Sequence, residues 1–78
     1  MAITFAIRVV DDDGNGVHGV RVHVDWSIWR GHLDEFTDDD GWANFESPGE
    51  PASAEIYNSG ESQGRHAIDD GSTLSFTI

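Results

Sequence analysis

The sequence predicts an all-β fold: a seven-stranded, two-sheet antiparallel sandwich occupying residues 1–78 as a single domain. Three observations carry this. Short runs alternate apolar and polar residues at period two, which puts one set of side chains on each face of a strand. These runs recur at about ten-residue spacing, and clusters of Gly, Asp and Asn separate them, the pattern of a sandwich rather than of βαβ units. No stretch is predicted helical.

The first strand runs from Ile3 to Val10, with Ile3, Phe5, Ile7 and Val9 on the inward face. Asp11-Asp12-Asp13-Gly14-Asn15-Gly16 contains both Asp-Gly and Asn-Gly and turns the chain. The longest alternation follows: Val20, Val22, Val24, Trp26 and Ile28 against Arg21, His23, Asp25, Ser27 and Trp29, a central strand. Arg30-Gly31 breaks it, and a third strand covers His32 to Thr37. Thr37-Asp38-Asp39-Asp40-Gly41-Trp42-Ala43-Asn44-Phe45 reads as a hairpin, a type I turn closed by Gly41 at positive φ that leads into a fourth strand from Trp42 to Glu46. Ser47-Pro48-Gly49-Glu50-Pro51 reads as an ordered loop crossing between sheets. Ala52, Ala54 and Ile56 mark a fifth strand, 58–64 a polar turn region, Arg65 to Ile68 a short sixth strand, and Leu74, Phe76 and Ile78 the inward face of a seventh. Asp-Asp-Gly occurs at 12–14, 39–41 and 69–71, which is read as shared hairpin chemistry because the flanking residues do not repeat.

A 78-residue chain builds one small core. With no cysteine it has neither disulfide nor thiolate metal site, so packing, bound ions or association must stabilise it, and an oligomer is expected. The formal net charge is −11, with fifteen acidic residues against four arginines and no lysine. Such a balance argues against nucleic-acid partners, which need clustered Lys and Arg. The excess of Asp and the absence of Lys resemble halophilic proteins, whose self-repulsion is screened in molar salt. An acidic extracellular module from a GC-rich genome is the other reading. No apolar run is long enough for a membrane span, and the start of the chain lacks the basic segment and cleavage site of a classical signal peptide.

Val9-Val10-Asp11-Asp12-Asp13-Gly14, then Val17-His18-Gly19-Val20-Arg21-Val22, then the Thr37 to Phe45 segment resemble the carboxypeptidase-regulatory-like and related transthyretin-like or Ig-like sandwich domains. The resemblance covers roughly the first 45 residues and rests on turn and core positions. It implies a seven-stranded sandwich used for adhesion, assembly, spacing or sugar binding. Two functional subsets do not fit: an internal isopeptide needs a lysine, which is missing, and the hydrolase-type Tyr-Arg-Gly-Ser terminus is replaced by Ser75-Phe76-Thr77-Ile78.

Candidate chemistry is sparse. His23, Asp25 and Ser27 share a strand face, but side chains two apart on a strand stand about 7 Å apart in parallel, and no glycine-rich elbow offers an oxyanion hole. Asp11, Asp12 and Asp13 are candidates for calcium, yet they lack the Asp-x-Asp-x-Asp-Gly spacing and distal glutamate of an EF-hand loop and read first as turn residues. His18, His23, His32 and His66 have no spacing that announces zinc. Of the three tryptophans, Trp26 falls on an apolar face, whereas Trp29 and Trp42 point outward. Exposed Trp beside Arg and His is the mixture found at interface hot spots, so Trp29, Trp42, Arg21 and His23 are the expected interface or ligand-binding residues.

The reading is therefore a non-enzymatic module that needs no cofactor and docks onto a protein partner in a larger assembly. The expected setting is a virion (capsid decoration, turret or tail component) or a cell surface in a saline habitat. A carbohydrate-binding or adhesion module displaying Trp29 and Trp42 is the alternative.

Overall fold

A computed structural model describes residues 2–27 and 31–78. Among the described residues seven strands form in chain order: β1 (Ala2–Val10), β2 (Arg21–Ser27), β3 (Gly31–Phe36), β4 (Trp42–Pro48), β5 (Ala52–Asn58), β6 (Glu61–Ile68) and β7 (Thr73–Thr77). They build a three-stranded sheet ordered β4-β1-β7 and a four-stranded sheet ordered β3-β2-β5-β6. The all-β, two-sheet sandwich read from the alternation is what the chain adopts.

The core lies between the sheets and uses the alternation directly. Ile3, Phe5, Ile7 and Val9 of β1 face Val22, Val24 and Trp26 of β2, with Phe45, Ile56 and Ile68 completing the layer. Phe5 stacks on its cross-strand neighbour Phe45, centroids 5.0 Å apart, and receives the edge of Trp26 from the opposite sheet at 5.8 Å. This aromatic trio ties the two sheets together. Leu74 and Phe76 of β7 pack against the core, but Ile78, predicted inward, is 51% exposed because it lies beyond the strand.

Four expectations change. The sandwich is not antiparallel throughout: β1 and β7 pair in parallel, Ala6 opposite Thr73 through Val10 opposite Thr77. Within that sheet β4 runs against β1 while β7 runs with it.

The second correction concerns the Thr37–Phe45 segment, which is no hairpin. Its flanking strands lie in different sheets, β3 against β2 and β4 against β1. The turn itself forms as read, with the Gly41 amide donating to the Asp38 carbonyl at 3.0 Å and Gly41 at φ +85°. It turns a corner between sheets. The Asp-Asp-Gly turns at 12–14 and 69–71 do the same, joining β1 to β2 and β6 to β7. The proline loop after β4 also crosses, as expected.

The first two corner turns share one construction. Asp11 accepts the amides of Asp13 and Asn15 on Oδ1, and Asp38 likewise accepts those of Asp40 and Trp42. The third differs: the Asp69 amide donates to the Ser72 hydroxyl, and Asp70 reaches across to accept the Thr4 amide. Similar sequence therefore gives two matching turns and one distinct turn.

Lastly, β6 begins at Glu61 rather than Arg65. Ser59 and Gly60 both take positive φ, 51° and 86°, the primed two-residue turn whose twist matches a tight hairpin. The polar composition of 58–64 concealed an edge strand, carrying a register shift opposite Glu55 and Tyr57.

Candidate docking surface

Alternation along β2 sends Arg21, His23 and Asp25 to the outside of the four-stranded sheet, and the register then fixes their neighbours. Asp34 lies opposite His23 and His32 opposite Asp25 on β3, while Tyr57 and Glu55 take the matching places on β5. Ser62 faces Tyr57 and Arg65 faces Glu55 on β6. Two rows thus cross the sheet.

In one row Asp34 is the hub. Its carboxylate accepts from His23 Nδ1 at 2.7 Å and from the Arg21 guanidinium at 2.9 Å, with His32 Nε2 further off at 3.9 Å. The His23 hydrogen bond, aided by the charges of His23, Arg21 and His32, holds the Asp34 carboxyl below the usual carboxylate range. The His23 ring sits 4.9 Å from that of His32 and edge-on to Tyr57 at 5.6 Å. Two shallow concavities open here, one of about 290 Å³ over Arg21, His23 and Tyr57, the other of about 600 Å³ over His32, Glu55 and Arg65. Asp25 and Tyr57 line both.

Of the four residues expected to form an interface, Arg21 and His23 are therefore brought together. Trp42 is not with them. It belongs to β4 in the other sheet, on the opposite side of the sandwich, where it is half-buried and Arg8 lies 5.7 Å over its ring. The outward faces of β2 and β4 cannot form one patch. Trp29 lies outside the described residues.

His23 turns across the sheet to Asp34 rather than along β2 to Asp25, and the Ser27 side chain lies outside what is described. Asp11 spends one carboxylate oxygen on its own turn, and among the described residues no three His, Asp or Glu side chains converge on a metal-sized site. His18 lies 3.8 Å from Asp39, and His66 bonds the Gln63 carbonyl and abuts Phe76.

Asp34, Glu55, Tyr57 and Arg65 complete this surface, and His32, weighed above only for zinc, joins them. The sequence carries a signal for His32 and Asp34, since antiparallel pairing of β2 with β3 sets 25 against 32 and 23 against 34. Tyr57 gives no such signal, because pairing of β5 with β2 joins segments some thirty residues apart.

No family model matches the chain, and no curated protein is similar to it in sequence.

Proposed function

We propose that this chain is a non-catalytic docking module that attaches to a protein partner in a larger assembly through the outward face of the β3-β2-β5-β6 sheet. The observation that carries this is the gathering of Arg21, His23, His32 and Tyr57 on one face: Tyr and Arg dominate interface hot spots, and two of the chain's four arginines lie here in a molecule of net charge −11. Exposed Phe36, 65% accessible and opposite Arg21 in the register, extends the face to its edge. The assembly we infer is a virion or cell-surface structure in a saline habitat, in keeping with the lysine-free acidic composition.

The fold supports a transthyretin-like sandwich over an Ig-like one. In the Ig constant-type order the third strand lies across the sandwich from the second, whereas here β3 pairs with β2. Glycan binding remains the alternative function; stacking a sugar on the covered face of Trp42 would displace Arg8.

Copurification with the native assembly tests the proposal. Tyr57→Ala and Arg21→Ala should each weaken attachment about 30-fold, equivalent to ~2 kcal/mol, with the β-rich circular dichroism retained. Trp42→Ala should leave attachment intact. Loss through Trp42→Ala alone would place the contact on the other sheet, and selective binding on a glycan array would favour the adhesion reading.

A further inference from the structure

The second row across the four-stranded sheet runs His32, Asp25, Glu55, Arg65, from β3 to β6. Its centre sets two carboxylates directly opposite one another, Asp25 against Glu55, an arrangement that is unfavourable in a sheet. The flanking bases do not relieve it. Arg65 donates to the Ser53 carbonyl at 3.0 Å, His32 approaches Asp34, and among the described residues neither Asp25 nor Glu55 has an ion pair. Among the described residues Glu55 accepts only the Ser62 hydroxyl, at 3.3 Å, and the Asp25 side chain makes no hydrogen bond. Both line the larger concavity with Tyr57 as an aromatic wall.

We propose that this concavity receives a cationic side chain, arginine in first place, from a basic segment of the docked partner. A planar guanidinium can satisfy both carboxylates while its face rests on the tyrosine ring, which a compact ammonium does less well. The charge is complementary at long range too, since a molecule of net charge −11 steers a basic segment towards itself. The pocket rests on the docking reading of this face and adds to it the chemistry of the partner.

The test titrates the full chain with an arginine-glycine repeat peptide, by calorimetry and by amide chemical shifts, with a lysine-glycine peptide as comparison. Shifts should concentrate at Asp25, Glu55 and Tyr57, and the arginine peptide should bind more tightly. Asp25→Asn and Glu55→Gln should each weaken binding about tenfold while melting no lower than the parent, because each relieves a like-charge pair. Glu46→Gln removes the same charge from the outer face of the other sheet and should change affinity less than about twofold. Absence of binding, equal weakening by Glu46→Gln, or shifts centred on the Asp38–Asp40 turn would overturn the proposal. The docking face itself fails on a different result, unaltered attachment of the Tyr57 and Arg21 variants to the assembly.

Discussion

Gly16 packs its α-carbon onto Gly41 so closely that neither position has room for a methyl group. An added Cβ at Gly41 would stand 2.8 Å from the Gly16 α-carbon and 2.9 Å from the Val17 nitrogen, and one at Gly16 would overlap the Asp40 carbonyl. The contact nests the β1–β2 crossing against the β3–β4 corner. Val9 is the shared rung, donating to the Gly41 carbonyl at 2.8 Å and accepting from the Val17 amide at 2.9 Å. Thr37, 2% exposed, closes the arrangement: its hydroxyl donates to Val17 and accepts the Val20 amide.

Substitutions at the three glycines should separate crowding from backbone strain. Gly14 has φ +84° but open space around it, so Gly14→Ala should cost about 1–2 kcal/mol from the left-handed conformation alone. Gly16→Ala meets backbone and should cost about 3 kcal/mol. Gly41→Ala suffers both penalties and should be the worst of the three. Urea unfolding gives the order, and equal losses at Gly14 and Gly16 would show that the two loops do not nest.

The two described tryptophans should behave oppositely. Trp26 is 4% exposed and holds the edge contact with Phe5, so Trp26→Ala should cost about 3–5 kcal/mol and leave little folded protein. Trp42 is half-buried beneath Arg8, and Trp42→Ala should cost about 1 kcal/mol, mostly the lost cation–π contact and part of its apolar area. Thermal melts decide this, and similar losses would place Trp42 in the core.

Acid should expose the work of Asp38. Its carboxylate is held below the ordinary value of 3.8, first by the Trp42 amide and then by those of Asp40 and Gly41. The folded form thus binds this proton less readily than the unfolded chain, so the stabilisation is present above about pH 4 and is lost as pH falls through the folded value. Asp38→Asn keeps an acceptor oxygen but no charge. Melts in 1 M KCl, where long-range repulsion within the −11 chain is screened to about 3 Å, should show a parent advantage at pH 6 that shrinks below pH 4. A difference independent of pH would mean that Asp38 acts through shape alone.

Much of the candidate surface was half legible. Arg21 and His23 could be placed outward from β2 alone, since alternation assigns a face within a strand. Their setting could not be read from it. Asp34, which anchors both, belongs to a neighbouring strand, and Tyr57 becomes a neighbour only because β5 pairs with β2.

By itself the sequence determined the number of strands, the inward set from Ile3 to Val9 and from Val22 to Trp26, and the local shape of the Asp38–Gly41 turn, because periodicity, side-chain hydrogen bonding and positive φ are local properties. Tertiary structure alone decided which sheet the strands flanking the Asp-Asp-Gly turns joined. A type I turn closed by glycine can return a strand on its neighbour or carry it across to the facing sheet, and nothing in residues 37–45 distinguishes the two. The choice fell to long-range burial: β4 sets Phe45 on Phe5 only by leaving β3 for β1, and this sends Trp42 to the far side from His23.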